Sequence, residues 1–263
     1  FFNSVQTVAT EFVNDLNIIS EKAFTKAQFI EKYGHLRPGT YDINSKTYAE
    51  NFENYIDLNR VEDSNKDDLS LMDYQLSNKT KDVIQNEIDK NGLEVPVDIL
   101  LNFVKKGTEA RELAKFEFTK NLSLVLDYII QFGKDLGLDR SEMSFCDLNT
   151  ILRQSGGSTS SNVINEICNQ IEYNKKKHII TSAIKLPELI FSAKDIDGFY
   201  YETSKPNFIT QITIEGQLVV LSEIKVDITD KIVVIENADP GFDWIFSHKI
   251  KGLITKYGGA ASH

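Results

Sequence analysis

The spacing of hydrophobic residues changes near residue 195, and this change limits the folds open to the chain more than any other feature. Before it, apolar residues recur every three or four positions, as in Phe1, Val5, Val8 and Phe12, which is typical of amphipathic helices. After it, short β-branched runs alternate with turn residues, which is typical of strands. The sequence therefore predicts a mostly α-helical domain followed by a partial α/β domain.

The same change predicts where the domains begin and end. We predict a helical domain over residues 1–195, in which the part from about residue 180 onward is a linker of mixed polarity. A second domain then covers residues 196–263. Its strands are predicted at 208–214, 217–221, 231–236 and 252–255. A short helical segment is predicted between the last two strands, so a β-α-β unit is expected.

Capping residues and glycines predict where individual helices begin and end. Thr25 and Gln28 have the T-x-x-Q pattern of a capping box, which opens a short helix that ends near Gly34. Gly92 follows a helix predicted over 80–91, and Gly107 is predicted to end the next helix. The remaining helices are predicted over 109–137, over 139–154 as one or two short pieces, and after the serine-rich break at 155–161.

Charge and cysteine content argue against several classes of function. The chain has 39 acidic and 29 basic residues and a formal net charge of −10, whereas a nucleic-acid-binding surface needs clustered cations. Cys146 and Cys168 lie in no ligand-like spacing, which argues against a zinc site or a disulfide framework. No apolar run approaches the roughly 18 to 20 residues of a membrane helix. We therefore expect a cytoplasmic protein that binds neither nucleic acid nor membrane and has no metal site of its own.

The final stretch, GLITKYGGAASH, has the residues of a strand, a turn and a helix start. Gly258 and Gly259 allow backbone angles that other residues avoid and let another molecule approach closely. Ser262 suits a helix N-cap, which would place His263 in the first turn of that helix. Because helix N-termini stabilise anions, an imidazole there suits attack on a phosphoryl group. The alternative is that His263 is an ordinary turn or surface residue.

Residues 238–263, ADPGFDWIFSHKIKGLITKYGGAASH, strongly resemble the swivelling phosphohistidine domain of phosphoenolpyruvate-utilising enzymes. This family includes phosphoenolpyruvate synthase, pyruvate phosphate dikinase and rifampicin phosphotransferase. The matched residues are Asp239, Pro240, Gly241, Gly258, Gly259, Ser262 and His263. The chain departs from the family pattern at Phe242, where a tryptophan often stands. The resemblance implies that the α/β part is the N-terminal half of a swivelling domain and that His263 carries the phosphoryl group.

Two further segments resemble the same family. Residues 29–51, with the run YGHLRPGTYDI, are similar to its Y-G-H-R segment, and residues 139–152 are similar to a later segment of its helical region. The resemblance implies an ATP-grasp nucleotide-binding domain in the same polypeptide and a small-molecule acceptor. It also implies ATP and Mg²⁺ for the full-length parent. Since the chain lacks an initiator Met and ends abruptly, we expect a fragment that is inactive alone and needs no cofactor of its own.

His35 and Arg37, within YGHLRPG, have two interpretations. As a functional pair they would contact an anion or the acceptor, because Arg suits planar anions. As a structural element the run is a helix exit, in which Pro38 and Gly39 turn the chain and Arg37 pairs locally. The structural interpretation is favoured, because turn chemistry already accounts for the residues.

A second function class stays open beside the phosphotransferase. The chain shows no nucleotide-binding loop, metal triad or set of substrate-binding arginines. This is what a non-catalytic helical binding or assembly module with a degenerate carrier domain would show. The sequence that flanks these 263 residues in the parent gene would distinguish the two classes.

Overall fold

The computed structural model describes residues 5–20, 25–56, 76–153, 161–187, 189–199, 206–210, 212–221 and 226–258. These residues are mostly helical, with a small parallel sheet near the C-terminus. The α-helices are α1 (Val8–Ser20), α2 (Lys26–Tyr33), α3 (Tyr48–Tyr55), α4 (Asn78–Lys90), α5 (Val97–Asp135), α6 (Arg140–Met143), α7 (Leu148–Arg153) and α8 (Ser161–Ser182). Short 3₁₀ helices cover Ala193–Ile196 and Pro240–Ser247. Among the helices described, none is both long and apolar enough to cross a membrane.

Helices α1 to α3 begin where local capping chemistry directs them. The predicted capping box at Thr25 is confirmed: its hydroxyl accepts from the Gln28 N–H, and the Gln28 side chain accepts from the Thr25 N–H. A second capping box, formed by Thr47 and Glu50, begins α3, a helix that was not predicted from the sequence. Aromatic side chains then join the three helices, with the ring of Phe12 lying 5.0 to 5.9 Å from rings on α2 and α3.

Glycines end two of the helices as predicted but do not interrupt the longest one. Gly92 (φ +71°) follows α4 and Gly137 (φ +78°) follows α5, each in a left-handed conformation. The prediction that Gly107 ends a helix is wrong, because α5 runs through it without a break for 39 residues. Gly107 is exposed, and a Cβ added to it would meet no atom within 4 Å. A helix interior tolerates such a glycine at a cost of about 1 kcal/mol.

The segment after α5 has a small core of its own. Two short helices, α6 and α7, lie within 139–154 as predicted, and Asp139 and Glu142 form a capping box at the start of α6. Helix α8 follows the serine-rich break. It buries one apolar stripe consisting of Val163, Ile167 and Ile171.

In the part of the chain that the structure describes, the sheet has three short parallel strands in the order β1 (Leu218–Val220), β2 (Ile232–Ile235) and β3 (Gly252–Thr255). A helical segment connects β2 to β3 as predicted, but it is the 3₁₀ helix Pro240–Ser247 and not an α-helix. The predicted strand at 208–214 is wrong for the residues described there. Phe208, Ile209 and Ile212 are more than 70% exposed. A β-branched run forms a strand only where it can pair with neighbouring strands and pack against a core.

Contacts divide the described residues into two compact units. One unit contains those within 1–41, 45–124 and 212–263, and the other contains those within 42–44 and 125–211. In the first unit, the inner face of the sheet and the N-terminal helices belong to a single hydrophobic cluster. The boundary that the sequence predicts near residue 195 stays a prediction.

Candidate functional site

The chain leaves the sheet at the carboxyl end of β3, where the predicted phosphohistidine turn begins. The N–H of Lys256 donates to the Ile235 carbonyl, and the N–H of Tyr257 donates to the Glu236 carbonyl, both at 2.9 Å. Gly258 then has φ +122°, a backbone conformation that side-chain-bearing residues rarely adopt. The remaining predicted residues of the turn, Gly259, Ser262 and His263, lie outside the described residues.

Charged side chains lie at the same edge of the sheet. The Nζ of Lys256 is 3.2 Å from the Oε1 of Glu236, and both side chains are largely exposed. Hydrogen bonds to Tyr257 and Glu236 raise the pKa of Lys256 above its usual value. Because the carboxyl ends of parallel strands meet at one edge, this edge is where such sheets commonly bind ligands.

The two motifs that carry the family resemblance meet at a junction, which consists of the loop after α2 and the turn at 239–244. Gly241 lies directly against the loop: a Cβ added to it would be 1.7 Å from the Arg37 carbonyl oxygen. The carboxylate of Asp239 caps the turn by accepting from the Gly241 N–H at 2.8 Å. It also accepts from the backbone N–H of Thr40 at 3.2 Å.

Tyr48, at the start of α3, completes this junction from the helical side. Its hydroxyl donates to the Gly241 carbonyl at 2.9 Å and accepts from the Trp244 N–H at 3.2 Å. Burial raises the pKa of Tyr48 well above its ordinary value, and the nearby Asp243 carboxylate acts in the same direction. The phenol therefore stays protonated near neutral pH and keeps the proton that it donates.

Arg37 is buried inside the helical part, with only 2% of its surface exposed. Its Nη2 donates to the Oγ of Ser123 on α5 at 2.8 Å, and its Nη1 donates to the Ser45 carbonyl at 3.4 Å. These contacts give the guanidinium partners within the protein. An acceptor or anion contact by Arg37 stays a prediction.

His35 is half-buried beside α5. Its Nε2 lies 3.1 Å from the Thr119 Oγ1, and its ring meets the Phe116 ring edge-on at 4.9 Å. Burial lowers the pKa of His35 to about 4, and the positive charge of Lys120 adds to this effect. The imidazole is therefore neutral near pH 7, and an acceptor contact by His35 also stays a prediction.

Tyr48, Ser123 and Asp243 also belong to this junction, and none of them was predicted from the sequence. For Tyr48 a signal was present, because the T-x-x-E pattern of Thr47 and Glu50 marks the helix that begins with it. Ser123 and Asp243 carry no comparable local signal. Their burial, at 4% and 2% exposure, follows from which elements cover them.

Comparison with known proteins finds no family model and no curated protein that matches this chain. Among the described residues, no group of three or more His, Cys, Asp or Glu side chains is arranged to hold a metal ion. Any functional assignment therefore depends on the sequence motifs and on where the fold positions them.

Proposed function

We propose that the chain is part of a phosphotransferase that relays a phosphoryl group through His263 to a small-molecule acceptor, with ATP or phosphoenolpyruvate as the donor. The observation that carries the proposal is the position of the G-G-x-x-S-H motif. Two residues separate the motif from β3, the third strand of the parallel sheet, and the first glycine of the motif, Gly258, has φ +122°. In this proposal the sheet is the N-terminal half of a swivelling phosphohistidine domain.

The chemistry divides one transfer into two steps. An imidazole nitrogen of His263 attacks the donor phosphorus, so an N–P bond forms while the P–O bond to the donor breaks. An acceptor oxygen then attacks the same phosphorus, the N–P bond breaks, and the released imidazole takes up the proton that the acceptor hydroxyl loses. Covalent catalysis of this kind replaces one difficult step by two easier ones. If Ser262 begins a helix, as its residue type predicts, backbone N–H groups there would stabilise the bound phosphate.

Nucleotide binding is assigned in this proposal to an ATP-grasp domain of the same polypeptide. ATP and Mg²⁺ would act there, and the described residues of this chain do not offer a group suited to hold the metal. We expect the chain alone to show no turnover, because the donor would bind to that other domain.

The test is to locate the phosphate. The parent polypeptide is incubated with phosphate-labelled ATP or phosphoenolpyruvate, and the isolated chain with phosphoramidate, a small-molecule donor that phosphorylates histidine. We expect an acid-labile, base-stable label on His263, and we expect its loss in His263→Ala. The exposed His178 provides the matched control, because His178→Ala should keep the label. A label on another histidine would refute the site assignment, and no histidine label would favour the non-catalytic module.

A further inference from the structure

We infer that the parallel sheet and helices α1 to α3 form one cooperative body. In the proposed relay, this composite body would change position as a whole, whereas the family resemblance implies a swivelling domain that moves by itself. The part of the inference that concerns the relay rests on the proposed function. The part that concerns the body rests only on the contacts of the described residues.

The first line of support is an apolar core shared by the sheet and the helices. Val233 and Ile235 on the inner face of β2 are 0% and 3% exposed, and they belong to one hydrophobic cluster with Phe12 and Leu16 of α1. Trp244, from the 3₁₀ helix between β2 and β3, is 1% exposed and lies 5.7 Å, ring to ring, from Tyr55 of α3. The sheet therefore has no separate core among these residues.

The second line of support is a set of hydrogen bonds that cross between the two parts. The Tyr48 hydroxyl is bonded to the backbone on the sheet side at two points, and the Thr40 N–H is bonded to Asp239. A fourth link joins the Nε2 of His248 to the Tyr55 carbonyl at 3.2 Å. Separation would break all four links and would remove Trp244 from its aromatic surroundings.

These contacts differ from those expected of a hinge between independent domains. Interfaces between domains of one chain are typically small and polar, and relative motion is the default unless the interface is hydrophobic. Here the contact is apolar at its centre, and the Tyr48 hydroxyl, the Thr40 N–H and the Asp239 carboxylate are hydrogen-bonded across it. Opening would expose apolar surface to water, which is unfavourable, and would exchange these hydrogen bonds for bonds to water.

The inference is tested by substituting a residue of the sheet and measuring hydrogen exchange in the helices of the full chain. Ile235→Val removes one methylene from the shared core. In a cooperative body, amides of α1 to α3 should then exchange roughly 2- to 12-fold faster, and those of β2 and β3 should accelerate by the same factor. Ile254→Val is the matched control, because Ile254 lies on the neighbouring strand and is 48% exposed. We expect it to leave exchange in the helices unchanged.

The result that overturns the inference is acceleration confined to the sheet while α1 to α3 keep their protection. A second readout uses Trp244, the only tryptophan of the chain. Its emission should be the same in the phosphorylated and unphosphorylated chain, whereas a shift to longer wavelength on phosphorylation would mean that the sheet leaves the helices. Exchange needs no phosphotransfer, so failure of His263 to accept phosphate would refute the proposed function and leave this test intact.

Discussion

Replacing Gly241 with alanine should destabilise the protein more than any ordinary surface substitution. The added Cβ would lie 1.7 Å from the carbonyl oxygen of Arg37, 2.2 Å from its carbonyl carbon and 2.6 Å from the nitrogen of Pro38. All three are backbone atoms, so rotation of a side chain cannot relieve the clash. The turn at 239–244 and the loop after α2 must move apart instead.

The magnitude follows from what this movement disrupts. Overpacking in a well-packed region costs about 1 to 3 kcal/mol. Displacement of the turn also strains the hydrogen bonds of the Tyr48 hydroxyl to the Gly241 carbonyl and the Trp244 N–H. Each is worth about 1 kcal/mol net, and more if a buried partner is left unsatisfied. We therefore expect Gly241→Ala to lower the free energy of unfolding by about 3 to 5 kcal/mol.

Urea unfolding followed by tryptophan emission measures this loss directly, because the only tryptophan, Trp244, lies three residues from the substitution. The matched control is Gly107→Ala on the exposed side of α5, where an added Cβ meets no atom. That change should raise stability by about 0.5 to 1 kcal/mol, because alanine favours a helix interior. If Gly241→Ala lowered the free energy of unfolding by less than about 1 kcal/mol at an unchanged denaturant slope, the backbone at the junction could move without a large loss of stability. That result would refute the reasoning.

Three further predictions concern other groups of the first unit. The pKa of His35 in the folded chain is lowered to about 4. As the pH falls from about 6.5, His35 is therefore protonated in the unfolded chain before it is protonated in the folded chain. Stability should therefore fall by up to about 1.4 kcal/mol per pH unit toward pH 4, and an NMR titration midpoint for His35 near 6.5 would contradict this. Tyr48→Phe and Tyr55→Phe each remove a hydroxyl that donates to a carbonyl at 2.9 Å. Calorimetry should show that each substitution lowers the free energy of unfolding by about 1 to 3 kcal/mol. Hydrogen exchange should accelerate in both the sheet and the helices for each variant. Thr47→Ala should lower the free energy of unfolding by about 1 kcal/mol, measured by thermal unfolding, and Thr47→Ser should lower it far less. Equal losses of stability in the two variants would mean that helix capping is not the cause.

Features that depend on neighbouring residues in the chain could be predicted from the sequence. The Thr25 capping box and the left-handed Gly92 are each settled within a few residues, so pattern and structure agree there. Strands β1, β2 and β3 lie within the ranges predicted for them, because β-branched runs bounded by turn residues identified them. The positive φ of Gly258 likewise agrees with the residue type.

Features that depend on distant residues could not be predicted in this way. The β-branched run at 208–214 has the composition of a strand, but Phe208, Ile209 and Ile212 are more than 70% exposed and are not part of the sheet. Gly107 has the residue type of a helix end, but the helix on either side continues through it. The motifs containing Arg37 and Gly241 were recognised separately, and nothing local indicated that they touch.

The sequence by itself determined the local elements, the β-α-β order and the motif that suggests phosphoryl transfer. Only the tertiary structure decided that the turn after β2 lies on the loop after α2, through Tyr48 and Gly241, 193 positions apart. It also decided that Arg37 is enclosed by Ser123, 86 positions away. The physical reason is that helix capping and hydrophobic periodicity depend on residues that are close together in the chain. Burial and hydrogen bonding across the junction depend on which surfaces the whole chain brings together.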